Sequence, residues 1–433
     1  MSMITTFVDR VNTALKQPDL RKKIIFTLIM FLVARVGTYI PAPGIDMKAF
    51  TDQASKGSIF DFINMFSGGG FKRFSIFALG IMPYINASII FQLLAAVYPP
   101  LEEKKKEGEK GQQEVVQWTR YLTIVIGAIQ AAGLAIYIST QSVVRMESSL
   151  LFIINTVVIL TAGTVFLMWV GEQISIYGLG NGISLIIFIN IVAEMPSGAL
   201  VLMKKFLETN INIGLIKVFL ICLLIIALIG AIVIFQLAIR RIPILYAGRN
   251  LQGKNSIASK TFLPLKVNTA GVMPIIFASV LMMIPDGFLR LLAVLSPTKT
   301  APVMLTKLLG HGGALYVIIL AALVFFFTFF YTAMVFDPMK VADNLKKSGG
   351  TIPGIRPGAE TVNYLDRVVT NITWGGAIFL TLLAVLPVLL TQVLNIPLYI
   401  GGTGLLIVVG VALDTVQQVD AHLVMRNYEG FIS

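Results

Sequence analysis

The stretch IFDFINMFSGGG, Ile59 to Gly70, decides how the rest of the chain is read. From Ile59 to Phe66 it is apolar and aromatic enough to demand burial, yet far shorter than the ~20 residues an α-helix needs to cross a bilayer. Gly68, Gly69 and Gly70 then separate it from a long apolar run that begins at Phe74. A helix of ten residues is only ~15 Å long. Such a stub either folds back to half the depth of a membrane or rests on its outer leaflet. The three glycines reach backbone angles that other residues avoid, so they form a natural hinge between the stub and the long run after it.

The surrounding composition places that stub in lipid. Hydrophobic residues make up 56% of the chain and charged residues 13%, with a mean hydropathy of +0.84, well outside the soluble range. Ten apolar runs approach spanning length, at roughly 24–40, 74–98, 120–138, 151–171, 182–195, 213–239, 268–294, 314–336, 369–392 and 401–419. A lipid-exposed backbone must satisfy its own hydrogen bonds, and no period-2 alternation signals a barrel, so all ten are expected to be helices. The expected fold is an all-α polytopic membrane protein.

The first run is not read as a cleaved signal, because YIPAPG turns the chain where a cleavage site would stand. Before it, Ile4, Phe7, Val8, Val11 and Leu15 share one helical face, so residues 1–23 read as an amphipathic segment along the membrane surface. Lys and Arg set the orientation. With the N-terminus in the cytosol, cytosolic segments carry 22 of the 34 basic residues and outer segments 11, Arg35 lying within the first run. Both ends are therefore expected in the cytosol.

The ten runs divide at the loop near 196–212 into five and five: a first half over 24–200, a second over 201–420, and a cytosolic tail over 421–433. Five being odd, the second half enters from the opposite side, as in an inverted repeat. Cytosolic loops are expected at 240–267 and 337–367. The same architecture is common among solute transporters, which generally need ionisable groups near mid-membrane. Here Arg35, Glu172, Glu194, Asp414 and Asp420 sit toward span ends, and mid-span positions carry amides such as Asn86, Gln130 and Asn190. Catalysis is not expected either, since His311 and His422 fall outside the spans and Cys222 is the one cysteine. No metal and no other cofactor is expected.

Four longer stretches narrow the reading. They are FALGIMPYINASIIFQLL (Phe77–Leu94), FLMWVGEQISIYGLGNGIS (Phe166–Ser184), LPLKVNTAGVMPIIFAS (Leu263–Ser279) and ADNLKKSGGTIPGIRPGAETVNYLDRV (Ala342–Val368). In this order, and on these sides of the membrane, they closely resemble the SecY family, the channel subunit of the bacterial Sec protein translocon. The resemblance covers about Leu20 to the tail. It implies two inverted five-helix halves around a central pore, passing unfolded preproteins across the plasma membrane and releasing transmembrane segments sideways into it.

Residue roles come from the resemblance. The stub, about 57–67 and including Ile59, Phe60, Phe62, Ile63, Met65 and Phe66, corresponds to the plug, with Gly68, Gly69 and Gly70 as its hinge. Ile81, Ile85, Ile187, Ile276 and Ile407 correspond to a hydrophobic pore ring, with Val280 as a further lining residue. Asn86, Gln130 and Asn268 correspond to polar positions of the lateral gate, and Gly271 and Pro274 loosen the seventh span. Arg240, Arg241, Arg249 and Arg356 correspond to the docking surface for the ribosome and for the SecA motor, a role that suits guanidinium forks. The family also implies SecE and SecG subunits. No GxxxxGK[ST] loop is present to cradle a nucleotide, so the energy is expected to come from SecA or from translation.

Overall fold

The computed structural model describes residues 17–46, 50, 58–139, 148–207, 211–246, 261–282, 313–394 and 402–429. The amphipathic segment before Gln17 lies outside the described residues. Each of the ten apolar runs meets a helix. These are α1 (Pro18–Gly37), α3 (Met82–Val97), α5 (Glu109–Ser139), α6 (Ser149–Tyr177), α7 (Gly182–Leu207), α8 (Ile211–Leu237), α9 (Met273–Met282), α10 (Ala314–Val335), α12 (Ala359–Leu394) and α13 (Gly402–Glu429). Among the described residues, seven helices are long and apolar enough to cross a membrane unaided. The stub is α2 (Ser58–Ser67), and two short helices, α4 (Pro99–Lys106) and α11 (Pro338–Lys347), flank α3 and α10. The chain forms two compact units, residues 1–208 with 411–433, and residues 209–410.

In the first unit, α5 packs against α6 and α3. The buried positions of α5 recur every fourth residue, at Gly111, Val115, Thr119, Thr123, Gly127, Ala131 and Ala135. Such a stripe of mostly small side chains lets helices approach closely where lipid offers no hydrophobic drive. Thr119, Thr123, Thr156 and Thr164 are buried, and Thr119, Thr123 and Thr164 return their hydroxyls to a carbonyl four residues earlier. Arg120 Nε donates to Glu172 Oε1 at 2.6 Å, joining α5 to α6. Outward positions such as Leu150, Leu151, Ile154 and Val158 are exposed; on a lipid-facing surface that is their expected place.

The second span departs from the expected 74–98. The helix begins only at Met82, and residues 68–81 form a succession of turns. Gly68, Gly69, Gly80 and Phe74 all hold positive φ, which a helix does not allow. Non-helical backbone survives at membrane depth only when buried in protein with its polar groups satisfied, and this loop is mostly buried and bonded to the chain around it. Ala42 N–H donates to Phe74 O, Ile76 N–H to Ile40 O and Ser75 N–H to Gly70 O, at 2.8, 3.0 and 2.9 Å. Phe71, Phe74 and Ala78 pack into one core with Phe50, Ala131, Phe152 and Leu160. Gly163 on α6 makes room for this loop, since a Cβ there would strike the Ile76 carbonyl.

In the second unit, the expected loop after α8 is a β-ribbon: β1 (Ile239–Tyr246) pairs antiparallel with β2 (Thr261–Lys266) and with β3 (Gly350–Thr351) in the order β2-β1-β3. The register runs from Ile239 opposite Lys266 to Ile244 opposite Thr261. Alternation turns Ile242 and Ile244 inward and leaves Arg241, Pro243 and Leu245 exposed. Ile242, Leu265, Ala342, Ile352, Leu365 and Val369 form the core beneath. Asp337 caps α11 by accepting the Met339 and Lys340 N–H groups. Leu365 is 0% exposed in that core, so Leu365→Ala is expected to cost about 2–5 kcal/mol. Denaturant unfolding of the detergent-solubilised protein measures it; a midpoint unchanged from the parent contradicts the packing.

Candidate functional site

The stub helix α2 ends in a glycine stop. Gly69 N–H donates to Asn64 O at 2.9 Å, Gly68 N–H to Met65 O at 3.4 Å, and Gly68 sits at φ +63. This is the arrangement of a Schellman cap. A helix C-terminus still leaves carbonyls without intrahelical partners, and here long-range side chains meet them. Asn190 Nδ2 on α7 donates to Phe66 O at 2.9 Å, and Arg35 Nη1 on α1 donates to Gly68 O at 2.7 Å. A guanidinium at the negative end of the helix also complements its dipole.

One turn further along α7, Glu194 Oε1 accepts from Asn64 Nδ2 at 2.9 Å, while Asn64 Oδ1 accepts from Lys72 N–H at 3.0 Å. Asn64, Ser67 and Asn190 are all buried. Gly68 and Gly69 are required by this crowding as much as by their φ: a Cβ on Gly68 would lie 2.7 Å from Asn190 Oδ1, and one on Gly69 2.9 Å from Glu194 Oε2. Tyr39 stands beside the site with Arg73 and Arg35 over its ring, at 4.1 and 5.6 Å from the centroid.

Of the residues singled out on α2, Met65 and Phe66 are buried and Ile63 is half-buried against the core of the loop. The side chains of Ile59, Phe60 and Phe62 lie outside the described residues. In the first unit Ile81 and Ile85 are a helical turn apart, with Ile85 N–H donating to Ile81 O at 3.1 Å, and both are buried, as is Ile187 on α7. In the second unit Ile276 and Val280 stand one turn apart on α9, and Ile407 lies on α13; all three are buried. Such β-branched side chains are stiff at χ1.

Asn86 and Gln130 are half-buried on α3 and α5, helices that pack together. Asn268 is different, because its Nδ2 donates to Gly271 O at 3.0 Å and braces the turn that leads into α9. Arg240, Arg241 and Arg356 are exposed, Arg241 lying over the Phe262 ring at 4.8 Å. Arg249 lies outside the described residues. The backbone at Arg356 is fixed: its N–H donates to Glu360 Oε2 at 3.3 Å and its carbonyl accepts from Thr361 Oγ1 at 2.9 Å. Among the described residues no group of three His, Cys, Asp or Glu side chains is arranged to hold a metal.

Sequence reasoning noted Arg35, Asn190 and Glu194 as polar groups inside spans but gave them no partner. Intramembrane polar residues are costly enough to be a functional signal, and here they converge on one turn.

Comparison with known proteins gives a consistent picture. The SecY family profile matches residues 75–416. The protein translocase subunit SecY of Halalkalibacterium halodurans is 44% identical over 98% of this chain and 99% of its own length. That of Aquifex aeolicus is 42% identical over 96% of this chain and 97% of its own. Among solved structures, a protein-conducting channel superposes with a TM-score of 0.64 at 18% identity, over 92% of this chain and 91% of that one. The idle yeast Ssh1 complex bound to the yeast 80S ribosome gives 0.62 at 14% identity, over 92% and 89%.

Proposed function

The chain belongs to the SecY family, and from that membership we propose that its buried loop, stub helix and exposed arginines work together as a gated path for polypeptide. It is the protein-conducting channel subunit of a translocase, a multi-pass membrane protein and not an enzyme. The observation that carries this reading is 44% identity to a translocase SecY subunit over 98% of the chain.

In the finer reading, unfolded preproteins cross the bacterial plasma membrane through it, transmembrane segments leave it sideways into lipid, and both termini are cytosolic. α2 is the plug. Ile81, Ile85, Ile187, Ile276, Val280 and Ile407 close around the chain in transit as a stiff apolar gasket, and dewetting at such a constriction blocks ions. Asn86 and Gln130 belong to a lateral gate. Interhelical amide bonds in membranes contribute only ~0.6 kcal/mol on average, so an apolar signal helix entering the gate outcompetes them. SecE and SecG complete the channel, and the β-ribbon and the Arg356 loop dock SecA or a ribosome, which supplies the energy.

Ile407→Asn tests the ring. Burying an isoleucine contributes about 1.5–3 kcal/mol, and in this reading it does so mainly when the ring is closed. Asparagine therefore biases the channel toward opening by roughly 10- to 100-fold. Export of a preprotein with a defective signal sequence is expected to rise while that of an intact one holds. An equal fall in both removes Ile407 from the ring. The reading as a whole is tested by expressing the chain in bacteria depleted of their own SecY. Restored secretion is expected, and a well-expressed chain that restores none argues against it.

A further inference from the structure

We propose that Asn190 and Glu194 are a latch that holds α2 closed, and that Arg35 is the pivot about which it swings. The inference rests on α2 being the plug. If α2 moves by rotating about Gly68 and Gly69, contacts on either side of that hinge have different fates. Asn64 and Phe66 lie on the moving side. Their bonds to Glu194 Oε1 and Asn190 Nδ2, both 2.9 Å, must break on opening. Asn64 Oδ1 also reaches across the hinge to the Lys72 N–H at 3.0 Å, and that bond breaks as well. Gly68 O is in the hinge itself, so its 2.7 Å bond from Arg35 Nη1 can persist through the motion.

Three features argue for a holding role over ordinary helix packing. Asn190 and Glu194 are four residues apart on α7, so they share one face, and both are directed at a single turn of α2. Apolar contact alone would pack α2 there. An amide and a carboxylate in a span are retained at a desolvation cost, and they give the closed position a directional specificity that apolar side chains lack. Finally, Asn190 Oδ1 is buried and meets no hydrogen-bond partner among the described residues. The closed state is thus left one bond short, which suits a fastening that must release.

The experiment uses the full chain in planar bilayers, comparing the parent, a plug deletion of residues 59–66, and point variants. Glu194→Ala and Asn190→Ala are each expected to raise the frequency of conducting events about tenfold, the effect of losing one well-placed hydrogen bond of ~1.4 kcal/mol. Glu194→Gln keeps an acceptor oxygen for Asn64 and should remain near the parent. Adding Glu194→Ala to Asn64→Ala should change nothing further, since both remove the same bond. Nor should it add to the leak of the plug deletion. If the deletion leaks while both alanine variants stay silent, the latch is wrong and the plug stands. If the deletion itself is silent, the plug reading has failed. Extra leak from Glu194→Ala in the deleted channel, or Glu194→Gln as leaky as Glu194→Ala, would also overturn the latch.

Discussion

Deleting Ile59–Phe66 is expected to leave the protein assembled and its channel open to ions. The segment ends in a glycine stop, so α2 terminates independently of α3. The deletion removes Met65 and Phe66, which are 9% and 1% exposed. At about 1.5–3 kcal/mol for each such side chain, the two bias the closed state by roughly 10²- to 10⁴-fold. Conductance per channel is accordingly expected to rise by on the order of a hundredfold, with neighbouring residues refilling part of the gap. The buried core formed by Phe71, Phe74, Phe152 and Leu160 lies outside the deleted residues, which take from it only the half-buried Ile63 at its edge and one bond to the Lys72 N–H, so most of the solubility and yield should hold. A deleted channel as silent as the parent removes the plug assignment.

Arg356→Glu is expected to abolish SecA-driven export with little change in folding. The residue is exposed, and what fixes its loop is main chain: its N–H to Glu360 and its carbonyl to Thr361. Surface substitutions of this kind usually stay within ~0.5 kcal/mol. At a charged interface, however, like charges brought together cost several kcal/mol, enough to reduce docking by on the order of a hundredfold or more. Export assays with purified SecA and inverted vesicles should show translocation falling to background at parental levels of inserted protein. Normal export by the Glu variant would exclude Arg356 from the docking surface.

Hydropathy was sufficient to locate a helix within each long apolar run because lipid imposes one simple rule: such a run must satisfy its own backbone as a helix. It failed at Phe74–Ile81 for a related reason. That segment is as apolar as a span, but its turns are buried in protein and bonded to residues 40–42 and to one another, and hydropathy does not distinguish a lipid neighbour from a protein one. The β-ribbon was missed because IRRIPILY carries two arginines and a proline in eight residues, so its alternation was masked by a composition that reads as a basic loop.

At the site, the stub and its glycines were legible from length and residue type. The fastening around them was not. Asn190 and Arg35 bind main-chain carbonyls 124 and 33 residues away, and a carbonyl leaves no mark in a sequence. The hydrogen-bonded side chains Asn64 and Glu194 stand 130 residues apart.

The central claim, that this chain conducts unfolded protein, is tested most directly by reconstitution. The purified chain is placed in liposomes with SecE and SecA, and given ATP and an unfolded preprotein bearing a signal sequence. The account predicts that full-length preprotein becomes protected from external protease when ATP is present and stays accessible when it is absent. Complete digestion in both conditions, in vesicles where SecA binds and the chain is correctly inserted, would contradict it.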